Sequence, residues 1–356
     1  MPSRREKSQM PRSAKLRHVE RYELERSPLA QRPTQREIGV LLGETRDDLR
    51  RLVNYKSEFI VRRQITTGKK KKVRDLAYPV ARLRAVHERL KFHLNKVKQP
   101  SYLFSPRRKR GQRDNAALHL DQDQYLTLDL KQFYPSTSED MVRRWFRDEL
   151  GMYDDVAGLL THLCTIDGKV SFGSPVTPVL CALVHRRMFD QIADICNARG
   201  LRYSVWVDDL TISGRFVSGA ILRQIREVVR AAGLKTHSIR YRSGNRPVFI
   251  TGIGVVGSRL VAPNSLNLKI KECWADYHAA ETDAEQNFLT QRLLTYLGTV
   301  RQISGIKSEV GNKVASEMNS LRQKRNKRHK ISEELCRSKH AERPRMVTAE
   351  MADLPF

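Results

Sequence analysis

The stretch VWVDDLTISG, residues 205–214, sets two adjacent carboxylates, Asp208 and Asp209, between two short apolar runs. Period-two alternation puts Trp206 and Asp208 on one face of the strand YSVWVDD, Val205 and Val207 on the other, and Asp209 in the turn that follows. Two carboxylates a few ångströms apart repel, and one of them is pushed up in pKa unless a cation neutralises the pair. A third acid, Asp129, lies on the polar face of the strand YLTLDL, whose Leu126, Leu128 and Leu130 share the opposite face. If the two strands are neighbours, the three acids make a hard oxygen site of the kind Mg²⁺ prefers, with positions left for substrate phosphates. Two Mg²⁺ ions roughly 4 Å apart on such a site carry phosphoryl or nucleotidyl transfer, one activating the attacking hydroxyl and the other stabilising the leaving pyrophosphate. By itself, Asp-Asp between apolar runs is an ordinary β-turn.

The rest of the chain narrows the choice. It has 356 residues, with 66 Lys+Arg against 39 Asp+Glu and a net charge of +27. That charge, gathered in runs such as GKKKKVR, SPRRKRGQR and RQKRNKRHK, is the footprint of a polyanion binder, and nucleic acid is the leading partner. An anionic membrane surface is the runner-up partner, but no run has the eighteen or so consecutive apolar residues a spanning helix needs, so a soluble protein is expected. Cys164, Cys181, Cys196, Cys273 and Cys336 are odd in number and lack C-x-x-C spacing, so they read as reduced thiols of a cytoplasmic protein.

The elements that must position the acids follow from periodicity. A short helical pair is expected in TQREIGVLLGETRDDLRRLV, with Thr45 capping the second helix, then a β-hairpin around Gly68 with a lysine-rich tip. The next helix carries Leu83, Val86, Leu90 and Leu94 on one stripe. Ser136 and Glu139 have capping-box spacing for a helix after YLTLDL, and VLCALVHRRMFDQIADICNA reads as one apolar helix stopping before Gly200. YSVWVDDLTISG reads strand, turn, strand; GAILRQIREVVRAAG is a helix and RPVFITGIGVV a strand; the remainder is mostly helical with a basic tail. Acids in a hairpin favour an α+β fold, an antiparallel sheet with helices on one face, over a doubly wound parallel sheet.

In order along the chain, LDLKQFYPS, FGSPVTPVLCALV, VWVDDLTIS and GLKTHSIR resemble motifs A, B, C and D of reverse transcriptases. Asn115 to His119 matches an N-A-x-x-H signature and Ile250 to Gly252 resembles the V-T-G signature of retron reverse transcriptases. The resemblance, covering about residues 35 to 305, implies a right-hand polymerase. Its parts would be a basic N-terminal arm at 1–33, fingers at 34–120, a palm at 121–262, a helical thumb at 263–310 and a basic tail at 311–356.

The resemblance implies Asp129, Asp208 and Asp209 as the metal ligands and catalytic residues, which would hold two Mg²⁺ ions. For the incoming dNTP the resemblance implies Lys72 and Arg74 on the triphosphate, Tyr134 as the steric gate, Phe172 and Gly173 in the motif B turn with Ser174 and Pro175, and Arg240 in motif D. Phe133 is expected in the core. Asn115, His119, Thr251, Gly252 and the run Arg107, Arg108, Lys109 and Arg110 are the implied RNA contacts. Three positions depart from the pattern: Trp206 replaces the aromatic of Y-x-D-D, Phe172 replaces a glutamine, and Arg240 replaces a lysine proposed as general acid, a role for which a guanidinium, which does not readily give up its proton, is poorly suited.

The implied activity is that of an RNA-directed DNA polymerase. It would use a structured noncoding RNA as template and primer, leaving a branched RNA–DNA hybrid, in antiphage defence with a separate effector protein. The alternatives are another defence-associated reverse transcriptase making repetitive or untemplated DNA, and an inactive RNA-binding scaffold.

Overall fold

Thr34 opens α1 (Gln35–Leu42) through a capping box with Glu37, and Thr45 opens α2 (Arg46–Asn54) by accepting from the Asp48 N–H. The computed structural model describes residues 21–67, 72–244 and 246–341. They fall into two units, one drawn from residues 1–111 and 122–244, the other from 112–121 and 245–356.

In the first unit, β1 (Ile60–Thr67) and β2 (Lys72–Pro79) pair antiparallel as the expected hairpin, Ile60 opposite Pro79 and Thr67 opposite Lys72. Its lysine-rich tip, 68–71, and the side chains of Lys72 and Arg74 lie outside the described residues. The expected apolar stripe of α3 (Ala81–Leu94) is buried. After β3 (Leu103–Ser105) the chain enters the second unit through α4 (Gln112–Ala117) and returns in β4 (Gln124–Leu130). Gln132, in the left-handed region, turns it directly into α5 (Phe133–Ser136). Ser136 is therefore spent inside that turn, and the cap of α6 (Glu139–Arg144) is Ser138, which accepts from the Met141 N–H.

Next come α7 (Asp154–Cys164), the small hairpin β5 (Thr165–Ile166) and β6 (Lys169–Val170), then α8 (Thr177–Val184) and α9 (Arg186–Asn197). The run expected as one helix breaks at His185, whose backbone leaves the helical region and whose Nε2 lies 2.9 Å from Thr137 Oγ1. The unit closes with β7 (Arg202–Trp206), β8 (Asp209–Gly214), α10 (Gly219–Ala231) and β9 (Thr236–Ser243), a strand the sequence reading did not assign.

The main sheet runs β3-β7-β8-β4-β9. The fold class is α+β as expected, but the sheet is mixed, since β3 pairs parallel to β7 at one edge. Leu126, Leu128, Leu130, Val205, Leu210 and Ile212 form its core with Phe189 and Ile192 of α9 and Ile221 and Ile225 of α10. Each fully buried side chain of this size contributes about 2 kcal/mol, so the sheet is a stiff support for whatever it carries. The stretch 21–33, read as part of a basic arm, is packed: Leu29 is fully buried.

The second unit holds α4, a three-stranded sheet of β10 (Val248–Ile250), β11 (Ile253–Val256) and β12 (Arg259–Val261), and the helices α11 (Asn264–Ala279), α12 (Asp283–Ser304) and α13 (Glu309–Ala341). The run RPVFITGIGVV is thus a hairpin, not one strand: Thr251 and Gly252 both have positive φ and form the two-residue turn between paired Ile250 and Ile253. Helix α13 continues past residue 311, where a tail was expected, because Val314, Met318 and Leu321 pack with Leu293 and Leu297 of α12. Among the described residues, no helix is long and apolar enough to cross a membrane.

Candidate active site

Strand pairing brings the acids together. In the β4–β8 register Asp129 stands opposite Asp209, and Trp206 pairs with Asp209 across a two-residue turn made of Val207 and Asp208. The sequence reading therefore had the pair one step out: Asp208 is in the turn and Asp209 begins β8, because the tight turn ends the first strand at Trp206. Val207 has φ +61 and Asp208 has not, the pattern of a II′ turn, whose first central position normally takes glycine. A β-branched residue held there costs of order 1–3 kcal/mol, strain of a kind that gathers at functional sites.

One carboxylate oxygen from each of Asp129, Asp208 and Asp209 lies within 4.8 Å of the others. Burial, then the negative charges of Asp208 and Asp129, push Asp209 up to about 6, while Arg240 on β9 pulls it down. Asp209 still shows surface to solvent, so the charge repulsion is the part a bound cation would relieve. Three hard anionic oxygens at this spacing fit a divalent cation of the magnesium type.

Beside the acids is a cleft of about 800 Å³ between the β1–β2 hairpin and the main sheet. Its wall includes Asp129, Asp208, Tyr134, Pro135, Ser171 and Phe172 on one side and Arg62, Arg63 and Val73 on the other. Tyr134 is half-buried, and its ring meets Phe172 edge-on with centroids 5.3 Å apart. Burial first, then Cys181 and the Asp208 charge, push the phenol well up, so it stays neutral and is no acid or base at working pH. Phe133 is buried in the core as expected. Gly173 has φ +91, and a Cβ there would lie 3.0 Å from Tyr78 Cβ, so both backbone conformation and close approach call for glycine.

The sequence reading missed Arg62, whose guanidinium forks onto Asp167 at 2.7 and 2.9 Å at the cleft, and Arg63 beside it. It also missed His87, buried on α3 with Nδ1 2.6 Å from Ser174 Oγ and Nε2 2.8 Å from the Leu163 carbonyl. A histidine on the apolar stripe with Leu83 and Leu90 was the available signal.

The remaining assignments divide by unit. Arg107 donates to the Pro100 carbonyl at 2.9 Å, Arg110 lies over the Phe104 ring, and Lys109 is exposed in the same loop as Arg108. Asn115 and His119 lie in the second unit, on and just after α4, and are 1% and 0% exposed. Their side chains face the interior, where α4 packs on β10 and β11. Thr251 and Gly252, much later in the chain, form the turn of that same hairpin; the Oδ1 of Asn115 and the Oγ1 of Thr251 are buried without a hydrogen-bond partner among the described residues.

Two buried histidines set a pH dependence. Burial holds both His87 and His185 down to about 4, against about 6.5 in the unfolded chain. Between those values the unfolded state binds protons the folded state refuses, so stability rises with pH and is lost as pH falls. Asp209, raised, opposes this, with a smaller contribution because it is partly solvated. Urea unfolding is expected to show a loss of roughly 2 kcal/mol per histidine between pH 7 and pH 5. His87→Gln should flatten the profile; an unchanged slope would count against the assignment.

No protein-family model matches the chain. Among curated proteins, it is 29% identical over 177 residues to the retron Se72 reverse transcriptase of Salmonella heidelberg, covering 49% of this chain and 47% of that one. It is 28% identical over 170 residues to the retron Ec86 reverse transcriptase of Escherichia coli, covering 46% and 52%, and 29% over 205 residues to the retron Mx65 reverse transcriptase of Myxococcus xanthus, covering 51% and 47%. The chain spans about half the length of these relatives. Among solved structures, that of a foamy viral protease–reverse transcriptase in complex with double-stranded DNA is similar at TM-score 0.42 and 14% identity, covering 76% of this chain and 41% of that one. A strand pair and a tight turn that gather three carboxylates thus stand in a chain that is similar, over about half its length, to retron reverse transcriptases.

Proposed function

We propose that the protein is an RNA-directed DNA polymerase of retron type, which copies a structured noncoding RNA into single-stranded DNA linked to that RNA as a branch. The observation that carries this reading is the convergence of Asp129, Asp208 and Asp209 beside a cleft walled by Tyr134 and basic residues. Two Mg²⁺ ions held by the three acids would supply hydroxyl activation and charge stabilisation of the leaving pyrophosphate. The chain's own groups do the rest. Tyr134, backed by Phe172 in the cleft wall, would clash with a ribose 2′-hydroxyl and so select deoxynucleotides. Lys72 and Arg74 of β2, with Arg63 of β1, are placed on the hairpin that faces the acids, where they would bind the triphosphate of the incoming dNTP. The basic run on α13, Arg322 to Lys330, contacts backbone phosphates of the RNA or the RNA–DNA hybrid without reading sequence. The same reading extends to a role in antiphage defence with a separate effector protein.

The test is purification from the native host followed by sequencing of the bound nucleic acid. A covalently branched RNA–DNA species is expected. Long repetitive or untemplated DNA would move the protein to another class of defence-associated reverse transcriptase, and RNA alone, with no dNTP incorporation in Mg²⁺, would make it a binding scaffold.

A further inference from the structure

His87 is 1% exposed, and both of its ring nitrogens are engaged. The Leu163 carbonyl can only accept, so Nε2 carries the proton and donates to it at 2.8 Å. Nδ1 is then the acceptor, and the Ser174 hydroxyl donates to it at 2.6 Å. Ser174 is 5% exposed and directly follows Gly173, whose positive φ and approach to Tyr78 leave the turn little slack. A second tie, from Thr177 Oγ1 to the Ser171 carbonyl at 2.9 Å, closes the other side of the turn. Phe172 is the exit of this clamp into the cleft, where its ring meets Tyr134.

We infer that His87 is a positioning residue for the incoming nucleotide: through Ser174 it fixes the turn that seats Phe172 against Tyr134, and so sets the wall of the cleft beside the sugar. The inference rests on the polymerase reading and deepens it by adding a specificity-determining contact from helix α3. Because each ring nitrogen serves a different partner, two substitutions separate the contacts. Asn at position 87 places an acceptor near the Nδ1 site and gives up the bond to Leu163. Gln reaches the Nε2 site with a donor and gives up the bond to Ser174.

The experiment is steady-state single-nucleotide incorporation with dNTP and rNTP, alongside urea unfolding, for Ser174→Ala, His87→Gln and His87→Asn in the full chain. Ser174→Ala and His87→Gln are expected to raise the dNTP KM about three- to tenfold, the effect of one lost buried hydrogen bond, with kcat changing by less than about twofold. Both should also lose part of their preference for dNTP over rNTP. His87→Asn is expected to keep a near wild-type KM while unfolding at lower urea. Equal KM values for the two His87 variants, or a Ser174→Ala protein with wild-type KM and sugar preference, would overturn the inference. Ser174→Ala removes a single oxygen and decides the matter alone if either His87 variant fails to fold. Wild-type protein that incorporates no dNTP overturns the polymerase reading itself, whereas active wild-type protein with an unmoved Ser174→Ala overturns only the role of His87.

Discussion

Asp208→Asn is expected to lower dNTP incorporation by roughly a thousandfold or more, several kcal/mol of lost charge stabilisation at the transition state. The amide keeps the shape of the carboxylate in the Val207–Asp208 turn but removes one of three anionic oxygens gathered within 4.8 Å. The same substitution should not harm the fold. Asp208 is one of the charges that pushes Asp209 up, so its removal relieves repulsion, and thermal unfolding should move slightly upward in Mg²⁺-free buffer. Binding of RNA should be unchanged, because the basic residues proposed to hold the backbone lie elsewhere. Primer extension, thermal unfolding and RNA binding measured on one preparation check all three. Activity within tenfold of wild type would remove Asp208 from the catalytic machinery.

The second large effect is expected at Tyr134. Tyr134→Ala opens space beside Phe172 and should cut the preference for dNTP over rNTP by roughly 10- to 100-fold, the scale on which a pocket discriminates by steric fit. Tyr134→Phe keeps the ring and should keep the preference, since the hydroxyl is not what excludes a ribose. The comparison also separates a gate from a packing residue. A residue that only packed, as Phe133 does in the core, would lose stability on truncation and leave sugar preference unmoved. Competition assays with paired dNTP and rNTP decide it.

Local patterns were enough to read the strand carrying Asp129, the hairpin carrying Asp208 and Asp209, the stripe of α3 and the Thr45 cap of the second helix. Each rests on spacing within a few residues, where side-chain alternation and capping chemistry act directly. Chain order of the motifs likewise pointed to the kinship that the curated relatives bear out.

What spacing did not disclose depends on partners distant in the chain. Nothing local says that His185 would break an apolar helix by binding Thr137, nor that His87 would reach Ser174, 87 positions away. The edge strand β9 has a nearly fully exposed face pattern and so no apolar alternation to betray it; pairing with β4 makes it a strand. The motif holding Asn115 says nothing of its burial; only the packing of α4 on the β10–β11 hairpin turns that side chain inward. The sequence by itself determined which acids are present, in what order, and that Asp129 lies on the polar face of its strand. The tertiary structure decided that they meet, because antiparallel register sets Asp129 opposite Asp209 and a two-residue turn swings Asp208 in beside them, and register is a property of two strands together, never of one.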